Sequence, residues 1–390
     1  MSLRIATDLI DADNLFRHHM TCETFSQLRE AGDVHPTVDG GYIVLDYELA
    51  KQVLSKPQFS VNLFEQEYNS FQSMLFLDPP HHTRLRTKVS QVFTKKAVDK
   101  IERDIDAIIT ACFKRIGTRT EIELISEVAF LLPIKVICSM LGVAEADFEK
   151  FKIWTTKIAL LLDVPFLDED KVNEGVIASN EVRDYFNSLV AARRDNLGDD
   201  ILSALIRTQQ QPDGLNNDEI ATMALLLFIA GFETTQNLIG NGFWALLQNR
   251  AQLQAVQSDL NLIESAIEEC LRFDPSVSLN GRGVKHPVMI SGVSFSPGTL
   301  IFLPILAINR DPRVFNAADE FNVRRKPNYH LTFSAGAHYC LGAFLARLET
   351  KRLFHFLLTH YRKFELAGPM PKYRPHIVLR GLESLHLQVG

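Results

Sequence analysis

The chain lacks the marks of several protein classes. Its 390 residues include five cysteines, Cys22, Cys112, Cys138, Cys270 and Cys340, scattered, odd in number and without a C-x-x-C pair. That usage argues against a disulfide framework and suits a reducing compartment. Basic excess is also missing: 41 Lys and Arg against 47 Asp and Glu leave a formal net charge of −6. Nucleic acid is therefore not expected as a partner, and mild acidity needs no explanation beyond solubility. The longest apolar run, Met223 to Gly231, is far short of the roughly 18 residues that a bilayer-spanning helix needs. The opening MSLRIATDLIDADNLF carries early Asp and no apolar h-region, so it does not read as a signal peptide. Internal repeats, low-complexity segments and linkers are absent. Tryptophan is scarce at two residues while phenylalanine reaches 26, so the interior is expected to be Phe-rich. Hydrophobic content of 46% and charged content of 23% are ordinary for a globular protein. The expectation is a cytoplasmic protein with no membrane partner.

What the chain does have is centred on Phe333 to Gly342, FSAGAHYCLG. A lone cysteine is more often a buried structural residue than a ligand. Cys340, however, lies between Gly336 and Gly342, with His338 two residues before it, and an apolar helical pattern starts near Ala343. Glycines let a backbone turn sharply and approach a flat, bulky group. A helix N-terminus beside the sulfur favours thiolate over thiol. A single thiolate suits haem iron better than zinc, which takes about four protein ligands.

The rest of the chain reads in order as follows. Val34 to Leu45, with Asp39-Gly40-Gly41 in its middle, is a hairpin signal and the one clear strand region of the first half. Residues 57–76 have no clean period, so they are expected to be a loop or a mobile pocket wall. Asp78-Pro79-Pro80 sets up a helix start, and His82 and Arg86 share one face of that helix. They form either a solvated basic face or a clamp for carboxylates, since Arg donates paired, planar hydrogen bonds. From Ile101 to about Gln209 the pattern is helical throughout. Residues 216–247 read as one helix roughly 46 Å long, opened by an Asn216/Glu219 capping box. Its middle, Ala230-Gly231-Phe232-Glu233-Thr234-Thr235, is either a packing notch with a solvent-facing Glu or a place for a small ligand with a proton relay. Ile263 to Arg272 is a helix with Glu269 and Arg272 three apart, a pair worth only a few tenths of a kcal/mol if exposed. Strand-like hairpins follow, with turns at Ser291-Gly292 and Pro297-Gly298, and the tail reads as short strands.

Five motifs together resemble the cytochrome P450 family in its order. The Cys loop resembles F-G-x-G-x-H-x-C-x-G, with Ser334 where the family usually has Gly. LDPPHHTRLR resembles the D-P-P-x-H-T-R-L-R helix, AGFET the A-G-x-E-T motif, ECLR the E-x-x-R motif, and AINRDP the A-x-N-R-D-P segment. The resemblance covers essentially the whole chain. It implies a mainly α fold with a small β-rich region, a triangular helical prism over one domain, 1–390. Haem is expected between the long central helix and the Cys loop.

The same resemblance implies the site. Cys340 would ligate the iron of haem b (iron protoporphyrin IX). His82, Arg86 and Arg282 would bind its propionates. Phe333, Gly336, His338 and Gly342 would shape the loop, and Ala230 and Gly231 would leave room for dioxygen. Glu233 and Thr234 would support proton delivery. Glu269 and Arg272 would pair with a later arginine, Arg325, to hold the core under the haem loop. Phe64, Tyr68, Phe71, Met74, Leu227, Val277, Ile377 and Val378 are candidate substrate contacts. Activity would be hydroxylation or another oxidation of a hydrophobic small molecule, such as a terpenoid, steroid, fatty acid or polyketide. Electrons would come from a separate ferredoxin and ferredoxin reductase docking with help from Lys88, Lys95 and Lys96, and the protein is expected to be a monomer. The rival readings are a peroxide-driven peroxygenase and a non-catalytic haem sensor.

Overall fold

The structure is a computed structural model that describes residues 3–63, 73–92 and 95–390. It divides the chain into two compact units. The first comprises Met1–Glu65, Gln248–Cys340 and Pro375–Arg380, and the second Gln66–Leu247, Leu341–Arg374 and Gly381–Gly390.

In the first unit, helices α1 (Ala12–His18), α2 (Cys22–Ala31) and α3 (Tyr47–Ser55) are capped by Asp11, Thr21 and Asp46, whose side chains accept N–H groups of the first turn. The hairpin expected over 34–45 is present as β1 (Val34–Pro36) and β2 (Tyr42–Val44), antiparallel with Val34 opposite Val44. They join β3 (Phe59–Ser60), β5 (Leu279–Val284) and β8 (Leu300–Pro304) in a five-stranded sheet of order β1-β2-β8-β5-β3. A separate hairpin, β6 (Val288–Ile290) and β7 (Val293–Phe295), turns at Ser291-Gly292. Helices α11 (Arg250–Ser258), α12 (Ile263–Phe273) and α13 (Ile305–Ile308) also belong to this unit. Val44, Leu49, Val53, Phe59, Phe295, Ile301, Leu303 and Phe315 belong to its buried core.

The second unit holds α4 (His81–Gln91), α5 (Lys95–Ile116), β4 (Glu121–Glu123), α6 (Leu131–Leu141), α7 (Phe148–Ala159), α8 (Glu169–Arg193), α9 (Ile201–Arg207), α10 (Asn217–Gln248), α14 (Ala343–His360), β9 (Phe364–Leu366) and β10 (His386–Val389). Strands order as β4-β10-β9. The block from Ile101 to Gln209 is therefore not helical throughout. It is broken by β4, and Ile125–Ala129 then winds as a π-helix. That strand forms because Ile122 pairs with Leu387 at the far end of the sequence, a partner no local window contains.

The capping box of α10 is reciprocal. Asn216 N–H donates to Glu219 Oε2 and Glu219 N–H to Asn216 Oδ1, each at 2.9 Å. Among the described residues α10 is the one helix long and apolar enough to cross a membrane, but most of it is buried. Phe228 packs on Phe151 of α7 at 4.5 Å, Phe232 on Phe130 at 5.0 Å, and Phe243 on Phe354 of α14 at 5.7 Å. Phenylalanines thus fill several of the contacts that α10 makes.

Candidate functional site

In the first unit the Cys340 loop is a tight, self-bonded turn. Ser334 N–H donates to Leu331 O at 2.8 Å, Tyr339 N–H to Gly336 O at 3.1 Å and Cys340 N–H to Phe333 O at 2.9 Å. Gly336–His338 form one 3₁₀ turn, and Cys340 is half-buried. Gly336 has φ +69°, and a Cβ there would lie 2.7 Å from Ser55 Cα on α3. The positive φ favours glycine and the close approach of the backbone requires it. Phe333 is buried, with its ring centroid 6.4 Å from that of Tyr339. Ser334 adopts φ +63° although it is not glycine.

The same unit contains the ion-pair network that supports this region. Glu269, on α12, is fully buried with Arg272. Its carboxylate accepts from Arg272 Nε and Nη2 at 2.8 Å each, from Arg325 Nε at 3.1 Å, from Asn322 N–H at 2.8 Å and from Asn328 Nδ2 at 3.1 Å. Arg272 also donates to Asn309 O, Ala318 O and Glu320 O. The structure therefore brings Glu269, Arg272 and Arg325 together. The pair is not the exposed, weak one that spacing alone allowed. Arg272 and Arg325 clasp carbonyls of the segment that leads to the Cys loop.

Arg282 stands on β5, buried, and donates to Asn280 Oδ1 at 2.7 Å and Gly281 O at 2.6 Å. Val277 is half-buried and Ile377 buried, and Ser278 ties their segments by donating to Ile377 O at 2.7 Å. Val378 O accepts from Ser278 N–H at 2.9 Å.

In the second unit His82 and Arg86 share one face of α4, with His82 buried and Arg86 half-buried. Burial, and next the Arg86 cation, push the His82 imidazole below its usual range. Met74 and Leu227 are buried. On α10, Ala230 is exposed while Gly231 and Thr234 are half-buried on a helix otherwise largely enclosed. The residue nearest a Cβ added at Gly231 would be Ile137, at 3.4 Å. Thr234 Oγ1 donates to Ala230 O at 2.8 Å. Glu233 is buried rather than solvent-facing and accepts from Arg374 Nη1 at 3.0 Å. Thr234 and Glu233, neighbours about 100° apart around the helix, thus bond to different partners. Nothing in the spacing of the sequence signalled Arg374, which lies 141 residues away.

Phe64, Tyr68 and Phe71 lie outside the described residues. So do the side chains of Lys95 and Lys96. Lys88 Nζ is occupied, donating to Gln211 Oε1 at 3.1 Å and Pro212 O at 2.9 Å.

The donor set fits a haem. One half-buried thiol on a Gly-turned loop suits iron, while Arg282, Arg86 and His82 are of the type that binds carboxylates. The small residues at 230–231 leave a helix face without bulk. Among the described residues no cluster of three or more His, Cys, Asp or Glu could hold a bare metal ion.

The comparisons with known proteins agree. The family model described as Cytochrome P450 matches residues 37–382. Cytochrome P450 monooxygenase PikC of Streptomyces venezuelae is 34% identical, covering 94% of this chain and 90% of that protein. The 6-deoxyerythronolide B hydroxylase of Saccharopolyspora erythraea is 32% identical, covering 94% and 95%. Among solved structures, P450BioI in complex with hexadec-9Z-enoic acid ligated acyl carrier protein is 31% identical with a TM-score of 0.90, covering 97% of this chain and 100% of that one.

Proposed function

The chain belongs to the cytochrome P450 family, and from that premise we propose that it is a haem-thiolate monooxygenase acting on a hydrophobic fatty-acyl or polyketide substrate. The observation that carries this is the Cys340 loop: a single thiol on a turn that only glycine at 336 permits, immediately before α14. Family membership makes it a monooxygenase using haem and dioxygen. The substrate class rests on the apolar character of Met74, Leu227, Val277, Ile377 and Val378, and on the molecules that similar proteins are named for. One of those is a deoxyerythronolide hydroxylase and another holds an acyl group on a carrier protein.

Haem b, held through a thiolate, would supply the oxygen activation. The chain's own residues do the rest. Cys340 provides the sulfur. Arg86, Arg282 and a neutral His82 would hold the propionates by charge-assisted and neutral hydrogen bonds. Ala230 and Gly231 keep side-chain bulk away from the reacting side. Glu233 and Thr234 deliver protons there, while the apolar wall orients the substrate and excludes water. Electrons come from a ferredoxin and its reductase, and the whole chain, 1–390, acts as one catalytic domain because the family match runs through both units. The protein works as a cytoplasmic monomer.

The test is reconstitution with a ferredoxin, its reductase and NADPH against a panel of free fatty acids, acyl-carrier-protein-bound acyl chains, macrolactones, terpenoids and steroids. A product with one added oxygen atom from the first three groups supports the reading. Turnover only with hydrogen peroxide would replace it by the peroxygenase, and ligand binding without turnover by a sensor.

A further inference from the structure

Glu233 carries a second relationship that the sequence did not signal. It lies one helical turn before Asn237 on α10, so both present the same face. Arg374 spans them. Its Nη1 donates to Glu233 Oε1 at 3.0 Å and its Nη2 to Asn237 Oδ1 at 2.9 Å. Its Nε donates to Leu382 O at 3.3 Å. The guanidinium thus has a donor for each partner in its fixed fork.

The stem that presents Arg374 is itself fastened. Arg374 N–H donates to Gly381 O at 2.9 Å, Tyr373 bridges Leu382, and Glu383 N–H donates to Lys372 O at 2.8 Å. Gly381 also lies against Asn237, since a Cβ there would sit 1.9 Å from Asn237 Oδ1. The acid side chain is only 6% exposed and the arginine 24%. A buried carboxylate is thereby held beside a cation that still reaches water.

We infer that Arg374 is a positioning residue for proton delivery: through its fork onto Glu233 and Asn237 it fixes the place and the orientation of the acid. This rests on the monooxygenase reading and deepens it. In that reaction a substrate C–H, dioxygen, two electrons and two protons become an alcohol and water. When protons arrive in the wrong place, the same dioxygen, electrons and protons leave as hydrogen peroxide and the substrate is unchanged. The electrons are those of the ferredoxin-type donor. Arg374 touches neither substrate nor haem in this account; it acts through Glu233.

The experiment has two arms on the full-length haem-loaded protein. The first measures product and peroxide per NADPH consumed, with KM, for wild type, Arg374→Gln, Arg374→Lys and Glu233→Gln. Arg374→Gln is expected to lower product-forming kcat by about tenfold to a hundredfold and to raise the peroxide share, with KM little changed. Arg374→Lys should recover part of the loss. The second arm is a double-mutant cycle on unfolding midpoints with Glu233→Gln and Arg374→Gln, which reads the pair independently of turnover. Non-additive shifts are expected. A lowered midpoint for Arg374→Gln with an unchanged peroxide share would overturn the inference and leave the arginine a purely structural clasp. Additive shifts would overturn the pairing itself. If the wild type yields no product from any substrate class, the monooxygenase reading falls and takes this one with it.

Discussion

Ser334 places a hydroxyl where the backbone favours glycine. Its φ of +63° is left-handed, and its Oγ is buried without a hydrogen-bond partner. Left-handed non-glycine residues cost about 1–3 kcal/mol, and an unsatisfied buried hydroxyl adds to that. Glycine loses more chain entropy on folding, about 0.4–1 kcal/mol. Ser334→Gly is therefore expected to raise stability by about 1 kcal/mol, read from the midpoint of chemical denaturation. A fall instead would mean that the hydroxyl makes an interaction in the loaded protein. Glu269 lies at the opposite extreme, with five N–H groups of four residues donating to one fully buried carboxylate. Glu269→Gln leaves Arg272 and Arg325 short of their counter-charge. It should cost about 3–5 kcal/mol and lower haem content in purified protein; a thermal midpoint within a few degrees of wild type would contradict this.

At the scale of elements, the Cys loop depends on α3 as much as on its own sequence. Gly336 is confined both by its positive φ and by Ser55 Cα and Leu54 O, which a Cβ would meet at 2.7 and 3.2 Å. Gly336→Ala should cost about 1–2 kcal/mol for the dihedral and about 1–3 kcal/mol for overpacking, measured by unfolding of purified protein. A near-neutral effect would show that the loop can turn elsewhere. The glycine was legible in the sequence from its spacing to Cys340; the reason for it was not, because Ser55 is 281 residues away. The same distinction runs through the fold. Elements with a local signature read well: the capping box of α10, the hairpin turn before β2, and α12 with its Glu and Arg. Elements defined by a distant partner did not. β4 exists through β10, and β3, two residues long, through β5. Nor did spacing reveal that Glu269 and Arg272 are buried, since that depends on Asn322, Arg325 and Asn328 folding over them.

For the whole molecule, buried acids set how stability follows pH. Glu349, on α14, is buried with Oε2 unpartnered, and burial pushes its carboxyl well above the usual range. The folded state then keeps a proton that the unfolded chain has already lost. Stability should fall as pH rises from the ordinary glutamate range toward the raised folded value, and Glu349→Gln should flatten that slope and stabilise the protein at neutral pH. Thermal midpoints across pH for both proteins check this; parallel curves would contradict it. Family membership extends over residues 37–382, so the account of the whole chain turns on one atom, the Cys340 sulfur. The decisive measurement is the absorption spectrum of the dithionite-reduced protein under carbon monoxide, for wild type and Cys340→Ala. The account predicts a strongly red-shifted Soret band in the wild type that is lost in the variant. A protein that takes up no haem, or a histidine-type spectrum indifferent to the substitution, would contradict it.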